Sequence, residues 1–273
     1  MFVLLCAQAG GAINDTTYRA ALFIEMIHTS SLIHDDVVDN SPQRRGQSSI
    51  NTLWKNKIAV SVGDNLFANA ISLLLENQEH EVLKILSTSI EKLVAGELLQ
   101  MQQSRKLNLN EEIYYEVIKG KTASLLASAC SAGAASTFND QGFIEKFYRF
   151  GENAGMAFQI KDDLLDYSEL EIGKPKGSDI KEKKITLPLI YTLNNCEPAL
   201  KRKLTRIIKS KNISDENIIY LIEQMKTAGG IKYAEEKMLF FRDEAIKISG
   251  SVSNTDTRTA LEHLVNYITE RKK

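Results

Sequence analysis

Three observations predict an all-α fold. Long segments carry apolar residues at three- and four-residue spacing, no stretch sustains the alternation of a half-buried strand, and only four prolines, at 42, 175, 188 and 198, interrupt 273 residues. With 43% hydrophobic residues the chain can bury a substantial core, and we expect one domain over residues 1–273.

The elements follow in chain order. Met1-Phe2-Val3-Leu4-Leu5-Cys6-Ala7 presents an apolar helix face from the first residue, with no capping residue ahead of it. Asp15-Thr16-Thr17 is expected to cap a helix through Leu22, Phe23, Met26, Ile27 and Ile33 to about Asp39, where Asn40-Ser41-Pro42 stops it. Ile58 to Leu75, rich in small residues (Ser61, Gly63, Ala68, Ala70), and His80 to Met101 are the next helices. Asn110 caps Glu111 to Ile118; Lys121 to Ser136, almost all Ala, Ser, Leu and Cys, has the composition of a helix buried on several sides. Asp140-Gln141-Gly142 opens a helix through Phe147, Phe150, Ala154 and Phe158. Glu169 to Lys183 breaks the pattern with Gly173, Pro175, Gly177 and lysines, and its position suggests a mobile lid. About four more helices follow Ile185, punctuated by Asn194-Asn195, Asn212, Gly229-Gly230 and Gly250-Ser251.

Composition narrows the function. Lys plus Arg is 34 and Asp plus Glu is 35, so the net charge of −1 makes no case for nucleic acid or an anionic membrane surface, and an anion needs a local site. Cys6, Cys130 and Cys196 are scattered without metal-ligand spacing, which suits buried thiols in a reducing compartment. The start lacks a basic leader and no stretch approaches roughly twenty apolar residues, so a soluble, cytoplasmic protein without a transmembrane segment is expected.

Chemistry concentrates in two places. Ser31-Leu32-Ile33-His34-Asp35-Asp36-Val37-Val38-Asp39 sets three aspartates at a helix end, followed by Arg44-Arg45-Gly46; Gln159-Ile160-Lys161-Asp162-Asp163-Leu164-Leu165-Asp166 repeats the Asp-Asp-x-x-Asp spacing. On a helix Asp35, Asp36 and Asp39 form one patch, as do Asp162, Asp163 and Asp166. Like charges at that spacing cost a few tenths of a kcal/mol per pair, and Asp is a poor helix former, so each patch is locally unfavourable unless a cation offsets it. One copy alone reads as a solvated face; two copies amid aliphatic residues do not. Oxygen ligands suit magnesium, and the lack of His and Cys near the second triad argues against zinc.

The arginine pair offers planar forks to phosphate, and Gly46 lets backbone approach a ligand. Lys121-Thr122 places a cation and a hydroxyl where a buried helix begins, either for an anion or as a plain helix start. Lys184, in a lysine-rich loop, either closes over a phosphate or is solvated. His28, two turns before Asp35, and Gln159, three residues before Asp162, point towards the acidic faces and are as readily structural as ligating.

These segments, with Ser61-Val62-Gly63-Asp64-Asn65-Leu66-Phe67, Gly96-Glu97-Leu98-Leu99-Gln100, Gly120-Lys121-Thr122-Ala123 and Gly177-Ser178-Asp179 through Pro188, resemble the trans-isoprenyl diphosphate synthases of the polyprenyl synthetase family. The resemblance implies an antiparallel helical bundle around a deep central cavity, usually a homodimer. It further implies that Asp35, Asp39 and Asp162, with Asp36, Asp163 and Asp166, hold three magnesium ions on an allylic diphosphate, assisted by Arg44, Lys121 and Lys184. Isopentenyl diphosphate is then gripped by Arg45 and His28, while Thr122 and Gln159 orient substrate or stabilise the cation. Ionisation of the allylic diphosphate, attack by the isopentenyl double bond and loss of a proton need no protein nucleophile.

Family members carry a Gly-Lys-x-x-Arg-Pro type segment shortly before the stretch matching Phe2-Val3-Leu4-Leu5, and this chain begins after that point. It is therefore expected to be N-terminally incomplete and to bind isopentenyl diphosphate weakly. Ser31 and Ser30, four and five residues before Asp35, are small where short-chain members place an aromatic plug, and Met26 and Phe23 lie further down the helix. A product of roughly six to ten isoprene units is expected, with octaprenyl as the central value and quinone side chains as a fitting use. The rival readings are a class I terpene cyclase, which usually has a different second metal motif, and a catalytically silent partner subunit of a heterodimeric synthase.

Overall fold

A computed structural model describes residues 1–44, 46–168, 177–210 and 212–271, the side chains of 104–106 excepted. The described chain is almost entirely helical, as the spacing of apolar residues predicts, and it divides into two compact units.

The first unit comprises Met1–Thr88 and Ser128–Tyr148. Helix α1 (Phe2–Gly10) buries Val3, Cys6 and Ala7. It approaches the later part of α6 (Ser124–Ala135) so closely that a Cβ on Gly133 would stand 2.2 Å from the Val3 carbonyl oxygen. Helix α2 (Asp15–Val38) starts one residue earlier than expected, because Asn14 is the true cap: its Oδ1 accepts from Thr17 N at 3.0 Å, and Thr17 Oγ1 accepts from Asn14 N at 3.3 Å. Its far end carries the first acidic motif, with Asp39 as C-cap. A hairpin of β1 (Gln43–Arg44) and β2 (Gln47–Ser48), absent from the sequence expectation, turns through Gly46 at φ 78°, a conformation that glycine adopts without strain.

Helix α3 (Ile50–Glu76) is broken at Lys55, whose φ is 72°, so the expected Ile58–Leu75 helix is its second segment. Contrary to expectation, α3 is long and apolar enough to cross a membrane by length and composition, one 18-residue stretch of it having mean hydropathy 1.6. The expectation rested on an unbroken apolar run, whereas an average over eighteen residues tolerates Asp64. Its inner face packs on α2 through Ala59, Gly63, Ala70 and Leu74, and its outer face leaves Trp54, Ile58, Val62, Phe67 and Leu75 exposed. Helix α4 (His80–Lys106) leaves this unit at Thr88, and α7 (Gln141–Asp166) begins in it, seating Phe143 and Phe147 at 4.8 Å between ring centres.

The second unit comprises Ser89–Ala127 and Arg149–Lys273. Helix α5 (Glu111–Ile118) has the expected Asn110 cap, with Asn110 Oδ1 accepting from Glu112 N at 2.7 Å. A π-helical turn, Lys119–Ala123, joins α5 to α6. The short α8 (Ser178–Lys181) lies within the expected loop, of which 169–176 fall outside the described residues. Beyond Ile185 there are five helices rather than about four: α9 (Leu187–Asn195), α10 (Pro198–Lys209), α11 (Asp215–Thr227), α12 (Gly230–Ser249) and α13 (Thr255–Glu270). The extra one arises because each of the four punctuating sites is a real stop, which divides the segment into five. One core cluster gathers Tyr114, Ile160, Leu164, Leu187 and Ile190; a second gathers Tyr167, Ile180, Leu193, Leu204 and Leu221. Burying each such side chain stabilises by about 1.5–3 kcal/mol.

Candidate active site

In the first unit, the last turn of α2 delivers the first triad. Asp36 is buried, Asp35 half-buried and Asp39 exposed. Arg44, carried by β1, donates from Nε to Asp36 Oδ1 at 2.8 Å and sets a terminal nitrogen 2.6 Å from the same oxygen. The Asp36 carbonyl accepts from Asn51 Nδ2 at 3.1 Å and from Ser41 N at 3.0 Å, so the hairpin is tied to the helix end. Three acids at a helix C-terminus oppose the helix dipole as well as one another, which makes this end a site for cations. Arg45 lies outside the described residues.

Upstream on α2, His28 and Met26 are half-buried, and Ser31 Oγ donates to the His28 carbonyl at 2.9 Å. Ser30 is buried and donates from Oγ to the Gly63 carbonyl at 2.9 Å, which places it at the α2–α3 seam. His34 Nε2 stands 3.3 Å from Asp64, and a Cβ on Gly63 would fall 2.3 Å from that nitrogen. Gly63 and Asp64 thus admit and hold the histidine next to Asp35.

In the second unit, the end of α7 carries the second triad into a hydrogen-bonded chain. Thr122 Oγ1 donates to Gln159 Oε1 at 2.7 Å, and Gln159 Nε2 donates to Asp163 Oδ1 at 2.9 Å. Tyr114 OH donates to Asp163 Oδ2 at 2.8 Å. Lys121, on the π-turn, pairs with Glu97 of α4 at 2.5 Å. The approach is possible because Gly96 has no side chain: a Cβ there would stand 2.5 Å from Lys121 N. π-Turns recur at functional sites, and this one aims a cation and a hydroxyl from adjacent residues.

Asp166 accepts at Oδ1 from Ser178 N (3.0 Å) and Ser178 Oγ (2.7 Å), and at Oδ2 from Asp179 N (3.1 Å), so it anchors the start of α8. Lys184 sits 3.7 Å from Asp179 and 2.5 Å from Glu182. Asp162, the exposed member, pairs at 2.8 Å with Arg271 from the end of α13, whose guanidinium lies 4.2 Å from the Phe158 ring centre.

The electrostatics of this group favour a cation. Burial, with the Asp179 charge, pushes the Asp163 carboxyl well up, against the pull of its Gln159 and Tyr114 hydrogen bonds. Burial and then the Asp166 charge push Asp179 up to about 7, although Lys184 pulls it down. Buried carboxyls that resist ionisation are short of positive charge, and oxygen donors in that state fit a hard divalent ion. Among the described residues no three His, Cys, Asp or Glu side chains stand close enough to hold an ion by themselves. Asp36, Asp163 and Asp166 are engaged by their hydrogen-bond partners.

One consequence is a pH dependence of stability. Asp179 has an ordinary value of 3.8 and a folded value of about 7, so the folded state resists its ionisation. Its contribution is neutral below the ordinary value, turns into a cost as pH rises between the two, and stays constant above. In metal-free buffer, Asp179→Asn is expected to gain a few kcal/mol over the parent as pH rises through that window, and added magnesium to narrow the gap. Thermal midpoints of both proteins across the window check this; parallel curves would contradict it.

The polyprenyl synthetase profile matches residues 1–225. The chain belongs to the polyprenyl synthetase family. It is a prenyltransferase, a trans-prenyl diphosphate synthase with the all-α isoprenoid synthase fold. It is 34% identical over 275 residues to heptaprenyl diphosphate synthase component 2 of Bacillus subtilis, with 100% of this chain and 78% of that relative covered. A decaprenyl diphosphate synthase from Rhodobacter capsulatus superposes with a TM-score of 0.94 at 33% identity, covering 100% of this chain and 84% of that one. A polyprenyl synthase from Caulobacter crescentus, solved with calcium and isoprenyl diphosphate, gives 0.93 at 34% identity, with 100% and 84% covered.

Sequence reasoning missed several residues that the structure sets against the second triad and Lys121. Tyr114 and Glu97 lie far from the aspartates in sequence, and only the quoted Gly96-Glu97 segment pointed to one of them. Asp179 lay in a recognised segment without a role, and Arg271, near the C-terminus, had no signal at all.

Proposed function

We propose that this synthase condenses isopentenyl diphosphate head-to-tail with an allylic diphosphate. The product is a long all-trans polyprenyl diphosphate of roughly six to ten isoprene units, octaprenyl being the central value. The observation that carries this is the chain from Thr122 through Gln159 and Asp163 to Tyr114, set beside buried carboxyls short of positive charge.

In this reading Asp35, Asp36 and Asp39, and Asp162, Asp163 and Asp166, would hold three magnesium ions on the allylic diphosphate. When bound, such ions draw charge from the departing pyrophosphate. Lys121 exchanges Glu97 for a diphosphate oxygen, Arg44 turns from Asp36 to the same group, and Lys184 adds a third cation. Arg45 and His28 grip isopentenyl diphosphate. Thr122 and Gln159, held against Asp163, orient the allylic chain and face the cation with their oxygens.

The relatives named for heptaprenyl and decaprenyl products support a long chain. The exposed apolar residues of α3 support a homodimer, since such a surface calls for a partner, and we place the enzyme in the cytoplasm. A heteromeric arrangement is the second reading, favoured by the relative that is itself called a component.

Incubation with magnesium, an allylic diphosphate and radiolabelled isopentenyl diphosphate tests the proposal. Linear labelled polyprenyl diphosphate supports it, a cyclic product would indicate a class I cyclase, and activity that appears only with an added partner would indicate a subunit. Ser31→Phe is expected to shorten the product, read by chromatography of the dephosphorylated chain. Ser30→Phe, which forces a ring into the α2–α3 seam, is expected to cost about 1–3 kcal/mol of stability.

A further inference from the structure

The charge balance of the whole chain hides a segregation that the structure exposes. Residues 198–210 contain Lys201, Arg202, Lys203, Arg206 and Lys209 and no acid, in a protein of net charge −1. Helix α10 is oriented by its apolar stripe: Leu204 and Ile208 are fully buried, and Leu200 and Ile207 pack against the same cluster. The opposite face turns out to solvent, where Arg202, Lys203, Arg206 and Lys209 are exposed. Lys201, Arg202, Thr205, Arg206, Lys209 and Ser210 line one open depression along it.

This face lacks internal compensation. Lys203 lies 4.0 Å from the centre of the Tyr220 ring. Among the described residues Lys201, Arg202, Arg206 and Lys209 form no ion pair. Arg202 and Arg206 stand one turn apart, a like-charge pair that works against the helix unless an anion is near. The result is a row of cations along a helix about 18 Å long, held flat on the surface by buried leucine and isoleucine.

We propose that this face of α10 docks the protein on an anionic membrane surface. The complementarity is between a flat row of long, flexible cations and a sheet of acidic headgroups, which needs no directional readout. A base-stacking platform is not offered, since the ring on this side, Tyr220, is covered by Lys203. The choice of lipid over other polyanions rests on the proposed function, because a long polyprenyl diphosphate is too apolar for water and must pass to a bilayer. The net charge of −1 does not weigh against this docking, because it averages over faces that a membrane meets one at a time.

The test is co-sedimentation of the full chain with vesicles of phosphatidylglycerol mixed with phosphatidylcholine, against phosphatidylcholine alone. Binding is expected to the acidic vesicles only, weakening as salt is raised. At roughly fivefold per cation, the variant Lys201→Gln, Arg202→Gln, Arg206→Gln, Lys209→Gln is expected to bind about a hundredfold or more weakly. The corresponding glutamate variant is expected not to bind, and circular dichroism reports whether either retains its helices. Prenyl transfer in detergent is expected unchanged in the glutamine variant. Equal binding by parent and glutamine variant, equal binding to neutral vesicles, or displacement from acidic vesicles by stoichiometric duplex RNA would overturn the proposal. Sedimentation does not depend on turnover, so loss of the enzymatic reading and loss of the docking reading are seen separately.

Discussion

Asp35→Ala is expected to lower prenyl transfer by about a thousandfold while leaving the protein as stable as its parent, or slightly more stable. The two effects separate because they have different origins. Asp35 lies in the last turn of α2, where its charge opposes the helix dipole and sits beside Asp36 and Asp39. Alanine is the better helix former by up to about 0.7 kcal/mol and removes that repulsion. In the proposed reaction the same carboxylate holds a metal ion against the diphosphate, and its loss removes about 4 kcal/mol of transition-state stabilisation. Thermal denaturation and steady-state kinetics of the same preparations check the split. A comparable fall in both activity and thermal midpoint would make Asp35 a structural residue.

Gly96→Ala is expected to do the reverse, damaging activity through the fold. A Cβ at this position would stand 2.5 Å from Lys121 N and 2.9 Å from the Gly120 carbonyl carbon, contacts that backbone cannot accept. Helix α4 and the π-turn must move apart, at a cost of about 1–3 kcal/mol, and the Lys121–Glu97 pair is lost with them. We expect turnover to fall by roughly one to two orders of magnitude as Lys121 leaves its position. Gly142→Ala, whose new methyl would meet only the Asp140 side chain at 3.3 Å, is the control and is expected to be near neutral. If Gly96→Ala keeps full turnover, the π-turn does not position the lysine.

The two substitutions mark the border between what is written locally and what is not. The helices after Asn14, Asn110 and Asp140 are legible because caps and apolar spacing act within a few residues, and only the cap of α2 shifts by one position. The acidic motifs are legible for the same reason, since repulsion along one helix face is a local property. The break at Lys55 was not, because Lys has no preference for positive φ that would mark it in the sequence.

By itself the sequence determined that the chain is helical, where most of its helices begin and end, and which two clusters of aspartate are the candidates for metal binding. Only the tertiary structure decided that Asp163 is clamped by Tyr114 and Gln159, that Asp166 anchors Ser178 and Asp179, that Arg271 meets Asp162, and that the cations of α10 share one outward face. Helical periodicity is set by interactions three or four residues apart and so leaves a repeating trace. A hydrogen bond across 49 or 109 residues leaves none, because its partners are brought together by the packing of apolar faces that say nothing of the polar groups between them.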